Sequence, residues 1–393
     1  MSRGAPTAGS ALRHRVPHET AAPAAANDPF APEDGAAVLE RLGRERPRVV
    51  VYAASESEHC LQLYAGLYGL HAARRIRLAQ RLRSPLPVEA PSGLLIEVEG
   101  VRAFLDVRDG AAFYGDIASR VPLYAKRSFD PARHPQPPFA PLGLNYAVYA
   151  DRVTRQELAR AAMSALRGSR LGGKRLALAL ARLVPGLAPR LGVPLVSAIS
   201  PAAPPDAGPP RAIFLARTWN PAEVPGLPRE EVEALNASRA ECIRKLRAAL
   251  GERVLAGFDR SAHALEHYGD CVAPAGTRTR RRDYLRLVRG YAVCVATTGL
   301  SGSIGWKLAE YAALGRAIVC EPLRFVPPGP FVDGTNYASF RTPEECVARV
   351  RALLEDAPRR QAMQAANAAY YADWVAPDVM VGRVILRALA LRG

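Results

Sequence analysis

The 393-residue sequence has only four lysines among its 53 basic residues, namely Lys126, Lys174, Lys245 and Lys307. Against 37 acidic residues this leaves a formal charge of +16 carried almost entirely by arginine. An excess of that size favours anionic partners: nucleic acid, an anionic membrane face or phosphorylated small molecules. No run of about twenty apolar residues occurs, which excludes a bilayer-spanning helix of the ordinary kind. The opening stretch has no apolar h-region, so it does not read as a secretory signal. Six cysteines are scattered without a C-x-x-C pair. They fit buried thiols in a reducing cytoplasm better than a disulfide framework or a zinc site. No helix-turn-helix, zinc-finger pattern or aromatic platform interleaved with basic residues appears. A basic nucleic-acid-binding protein therefore stays an alternative supported by charge alone. No short-period repeat is present.

What is present is an alternation of short apolar runs with helix patterns. Residues 1–38, rich in Ala, Pro and Gly, are expected to form a disordered tail. From Arg48, "RVVVYA" reads as a strand and "SESEHCLQLYAGLYGLHAARRIRLAQRL" as one helix. "GLLIEVEGVRAFLDV" reads as two strands about a Glu-Gly turn, and about Asp151 to Val184 as a long basic helical region. The proline density of residues 197–210 forbids helix and central strand alike and marks a linker. After it the alternation restarts, and three helix patterns finish the chain. Strands alternating with helices predict parallel sheets with helices on both faces. The expected architecture is α/β: two doubly wound, Rossmann-like domains, 39–196 and 211–375, facing each other across a cleft. A C-terminal helix in 376–393 is a candidate to pack back on the first domain.

In such sheets ligands sit beyond the carboxyl ends of strands, where a loop delivers backbone N–H groups at a helix start. "VCVATTGLSGSIGWKLAEYAALGRAIV" has that form. Its glycines, Gly302 among them, let the backbone approach a ligand, and Ser303 can cap the helix or donate to an oxygen. Lys307 lies in the first helical turn, where a cation opposes the helix dipole unless an anion is present. Glu310 shares its face three residues on and suits a ribose diol. The competing structural reading, tight packing plus an exposed Lys307–Glu310 pair, fits these residues equally well.

The segment as a whole, about Thr297 to Asp356, resembles the donor site of GT-B nucleotide-sugar glycosyltransferases, with their glycosyl transferases group 1 C-terminal domain. Glu310, Gly315, Asp333, Gly334 and Asn336 stand where that family has its glutamate, the glycine after it and its "D-G-x-N" turn. Gly302 occupies the place of a second glutamate common in the family, Ala317 that of a proline, and Tyr337 that of a glycine. The first departure leaves retention or inversion open. The resemblance implies transfer of a sugar from a nucleotide-diphosphate donor to a glycan or lipid-linked glycan, in bacterial surface polysaccharide or lipopolysaccharide synthesis. It implies no metal and no cofactor beyond the donor substrate. A non-catalytic scaffold of the same fold is the other alternative.

Further candidates follow from position. Arg217, just past the first strand of the second domain, suits phosphate oxygens in bidentate geometry. His59, after the first strand, and Asp109, after "FLDVR", are rival bases for an acceptor hydroxyl. Lys126 and Arg127 form a candidate anion or acceptor site. The arginine cluster Arg278, Arg280, Arg281 and Arg282 reads first as a solvated loop. The basic, leucine-rich stretch Ser169–Gly192 either packs on the first domain or lies on an anionic membrane. The expected location is cytoplasmic, with that stretch as the candidate peripheral contact.

Overall fold

A computed structural model describes residues 33–52, 57–81, 84–86, 92–199, 208–277, 279 and 281–392. The expected tail up to residue 32, most of the linker, and Arg278 and Arg280 lie outside the described residues.

The first part of the chain runs α1 (Gly35–Glu45), β1 (Arg48–Tyr52), α2 (Leu61–Ala72), β2 (Arg77–Arg81), β3 (Gly93–Val98) and β4 (Val101–Asp106). It continues with α3 (Gly115–Ala118), β5 (Leu123–Lys126), β6 (Phe139–Pro141), α4 (Arg155–Leu166), α5 (Arg170–Arg182) and α6 (Leu187–Leu191). Beyond the linker come β7 (Ala212–Ala216), α7 (Arg229–Leu250), β8 (Val254–Phe258), α8 (Ala262–His267), α9 (Arg281–Val288), β9 (Val293–Ala296) and α10 (Trp306–Ala313). The chain closes with β10 (Ala317–Cys320), β11 (Ala338–Ser339), α11 (Pro343–Glu355), α12 (Ala357–Tyr370) and α13 (Pro377–Ala390).

The fold is α/β, built on two sheets. The second is wholly parallel, in the order β11-β10-β9-β7-β8. The first, β2-β1-β3-β4-β5-β6, is parallel except for β3, which runs against both its neighbours. That exception is the Glu-Gly hairpin: Glu99 and Gly100 both take positive φ (46° and 95°), the backbone a tight two-residue turn requires.

Three boundaries differ from the sequence reading. The helix expected over "SESEHC…RL" ends at Ala72; Arg74 turns left-handed (φ 57°), and β2 then pairs with β1, burying Ile76 and Leu78. Alternation over so few residues was hidden inside a longer apolar pattern. The basic helical region is two helices, split at Gly168 (φ 77°), with Ser169 capping α5. At the tail, Asp34 caps α1 by accepting from the Ala37 N–H, so helix starts at Gly35.

α2 is apolar on nearly every face because it is enclosed between the first sheet and α13. At Gly66 a Cβ would stand 2.0 Å from the Pro377 carbonyl oxygen, so only glycine allows that approach. Gln62 donates to the Val375 carbonyl, and the Tyr146 and Tyr371 hydroxyls meet at 2.9 Å. The end of the chain is thereby bound to the first sheet.

Candidate functional site

In the second sheet the chain leaves β7 for β8 on one side and returns to β9 on the other. Ligand crevices of open α/β sheets form where strand order reverses in this way. A cavity of about 490 Å³ lies there, lined by the ends of β7, β9 and β10 and, across the cleft, by the loops after β1, β4 and β5.

The loop after β9 is held by two residues. Glu321, just beyond β10, accepts from the Thr298 N–H (2.7 Å) and hydroxyl (2.6 Å). Arg239, from the buried face of α7, donates to the Thr297 hydroxyl, the Thr298 carbonyl and the Arg217 carbonyl at 2.8–2.9 Å. One guanidinium thus ties the ends of β7 and β9 together. Burial pushes its pKa down to about 10, with Glu321 opposing the shift, so it stays charged at neutral pH. Gly299 lets the loop curl: its N–H donates to the Ser303 carbonyl at 2.7 Å, and a Cβ there would stand 2.6 Å from the Ser303 hydroxyl.

Two more cations face the cavity. Arg217 lays its guanidinium 3.3 Å over the Trp219 ring, and burial lowers its pKa. Lys307 opens α10 with its ammonium 5.1 Å from the centre of the Tyr284 ring. Burial pushes that ammonium down to about 8, against the pull of Glu310. Among the described residues neither Arg217 nor Lys307 forms an ion pair. Asp259 lies close enough to feel both cations, yet burial holds its carboxyl above the ordinary range, and its Oδ1 has no hydrogen-bond partner among the described residues.

Across the cleft, Arg127 is 5% exposed and donates to the Asp109 carboxylate at 2.7 Å and to the Ile304 carbonyl at 2.5 Å, joining the two units. His59 Nδ1 lies 3.2 Å from both the Trp306 indole N–H and the Arg127 guanidinium. Both are obligate donors, so Nδ1 carries the lone pair and the neutral ring holds its proton on Nε2. Burial, then Arg127, lowers the His59 pKa and keeps the ring neutral. As arranged, His59 has its Nδ1 lone pair taken up by two donors and presents an N–H at Nε2. Asp109, with a side chain 47% exposed, is the better-placed proton acceptor.

Of the residues singled out from the sequence, His59, Asp109, Arg127, Arg217, Ser303 and Lys307 line this cavity together. Lys126 does not. It is fully buried, 3.5 Å from Asp106, and donates to the Arg108 carbonyl at 3.0 Å. Glu310, 3% exposed, is buried in α10 behind Lys307 and away from the cavity lining. Gly302 also stands outside the lining, and its φ of 67° would strain the glutamate that the resembled family often has there. The "D-G-x-N" turn is structural: Asp333 accepts from Ser339, and buried Asn336 accepts from the Val332 N–H.

Arg239, Glu321, Thr298 and Trp306 were missed by sequence reasoning. Glu321 had a readable signal, since it is the first residue past an apolar strand at the ligand end of the sheet. Arg239 had none, being one arginine among several on α7.

No family model matches the chain, and no curated protein matches its sequence. Among solved structures it is similar to the C-terminal domain of a glycosyl transferase group 1 family protein from Francisella tularensis. That likeness has a TM-score of 0.31 and 10% identity, over 45% of this chain and 95% of the other. It is also similar to an α,α-trehalose-phosphate synthase (UDP-forming) from Burkholderia vietnamiensis, at TM-score 0.32 and 15% identity over 65% and 53% of the two chains. An α1,3-fucosyltransferase is similar at TM-score 0.33 and 11% identity, over 82% of each chain.

Proposed function

We propose that the cleft binds the diphosphate of a nucleotide sugar and that the protein transfers the sugar to a hydroxyl of a glycan or lipid-linked glycan. The observation that carries this reading is the convergence of Arg217 and Lys307, neither ion-paired among the described residues, on one cavity at the reversal of strand order. Burying two cations with only Asp259 and Glu310 near them and no direct ion pair among the described residues is unfavourable, and an entering diphosphate relieves it. In this reading the Arg217 fork binds phosphate oxygens, and Lys307 neutralises the charge that grows on the leaving diphosphate. Arg239 and Glu321 position the loop without touching the ligand. Asp109, from the opposite wall, accepts the proton of the attacking hydroxyl, and His59 donates through Nε2. The surface-polysaccharide or lipopolysaccharide setting rests on the sequence resemblance and is part of the same proposal.

Thermal shift against a panel of nucleotides and nucleotide sugars, followed by turnover of whichever binds, tests the reading. A ligand at a hundred times its Kd adds about 2.7 kcal/mol to stability when it binds only the folded state. Near-normal turnover in both Lys307→Ala and Arg217→Ala would overturn the assignment.

A further inference from the structure

α4, α5 and α6 form a basic helical group on the outside of the first unit. They are attached through a few buried arginines. Arg160 donates to the Tyr68 hydroxyl at 3.1 Å and stacks 4.0 Å over the Tyr64 ring, and Arg182 donates to the Ala150 carbonyl while its pair with buried Glu157 at 2.5 Å ties α5 to α4. The opposite side is left uncovered by any other part of the chain that is described. Ten large apolar side chains are exposed among the described residues, and six of them fall here: Leu166, Leu171, Leu180, Leu183, Val184 and Leu191. Leu166 alone is 82% exposed. Single exposed leucines are ordinary on a soluble surface, but six within one short stretch form a patch that calls for a partner.

Charge identifies the partner. From residue 158 to residue 205 the sequence holds seven cations and no acidic residue. Arg160, Arg175 and Arg182 are committed inward, whereas Arg167, Arg170, Lys174 and Arg190 lie on the exposed side. On α5 the inward arc is Gly172, Arg175 and Ala179. The outward arc places Arg170 and Lys174 between Leu171 and Leu180. A protein partner would need an acidic surface studded with apolar pockets. An anionic bilayer offers both complements at once, acyl chains for the leucines and headgroups for the cations. No described helix is long and apolar enough to cross a membrane, so the group would lie on the surface.

We infer that the face formed by α4–α6 docks the protein on a bilayer containing anionic lipid, whatever reaction the cleft performs. The full chain is mixed with phosphatidylcholine vesicles and with vesicles of phosphatidylcholine and phosphatidylglycerol in equal parts, then separated by flotation. The expected partitioning onto the anionic vesicles exceeds that onto neutral ones by about tenfold or more and weakens as salt rises. A Leu171→Glu, Leu180→Glu, Leu183→Glu variant should lose the binding by about the same factor. An Arg170→Glu, Lys174→Glu variant should lose the preference for anionic lipid. Unchanged melting temperatures in both variants show that the fold survives these surface changes. Absence of wild-type binding at low salt, or binding that neither variant weakens, overturns the inference. So does a self-associated wild type that the leucine variant converts to monomer with no vesicle binding in either form, because the face would then serve a second copy of the chain.

Discussion

Lys126 and Lys307 are both pushed down to about 8 by burial, and they stand in opposite settings. Lys126 sits in a finished cluster. Asp106, itself fully buried, lies 3.5 Å from its ammonium, accepts from the Tyr124 hydroxyl at 2.6 Å and pairs with Arg108 at 2.9 Å. Lys307 faces a cavity with Arg217 beside it and no ion pair among the described residues. The same displacement of a lysine therefore accompanies a closed ion-pair cluster in one sheet and an open cavity, the proposed donor site, in the other. Partner geometry, not the shift, separates the two.

Breaking the first cluster should have the largest effect. Asp106→Ala removes the carboxylate that compensates Lys126, Arg108 and the Tyr124 hydroxyl, and loss of one partner of a buried ion pair costs about 3–5 kcal/mol. Urea unfolding should show that loss, and Lys126→Met in the same chain should recover part of it. Full additivity of the two substitutions would show that they are not partners.

The second sheet should answer in the reverse sense. Lys307→Ala removes a cation that is unfavourably placed without ligand, so apo stability should hold or rise. Turnover should fall by about 10²–10³, the usual loss when one preorganised charge-stabilising donor is removed. A variant that unfolds easily while its surviving fraction turns over normally would give Lys307 the role of Lys126.

Titration sharpens the contrast. Each lysine is lowered from 10.5 to about 8, so between those values the unfolded chain binds the proton and the folded chain does not. Each therefore contributes a stability that rises with pH through that window and a penalty that is fully present below it. Diphosphate affinity should move the other way, falling as pH rises through about 8 while Lys307 loses its charge. Lys307→Ala should abolish that fall, and Lys126→Met should leave it in place. Isothermal titration with a nucleoside diphosphate across this range distinguishes them, and a fall that survives in Lys307→Ala would assign it to another group.

The sequence reading found the second sheet readily, because "YAVCVAT" and "RAIVCE" are short apolar strands bounded by glycine and polar turns. It also put Arg217 and Lys307 at the ends of strands that line the cavity, since Arg217 directly follows β7 and Lys307 opens the helix after the β9 loop. It mistook Lys126 for a cleft residue because pleat direction decides which side of β5 the ammonium takes, and one strand's pattern does not reveal that. Glu310 was drawn from its place one turn beyond Lys307 and then from resemblance, but helical spacing does not say which side of α10 faces the core, and Glu310 is buried. Arg239 and Trp306 act through contacts 58 and 247 positions away in sequence, and no local pattern carries such information.

The smallest expected effect concerns the contact that joins the two walls. Trp306→Phe keeps the ring and deletes the indole donor to His59 Nδ1, a hydrogen bond of about 1 kcal/mol net. Arg127 still donates to the same nitrogen at 3.2 Å, so the Nε2–H tautomer of His59 should persist. Nitrogen chemical shifts of the imidazole read the tautomer directly. Arg127→Met alongside Trp306→Phe removes both donors, which frees Nδ1 to carry the proton and turns Nε2 into an acceptor. If acceptor deprotonation depends on Asp109, turnover in the double variant should not gain from that new lone pair. A gain would make His59 the base after all, with Trp306 and Arg127 restraining it.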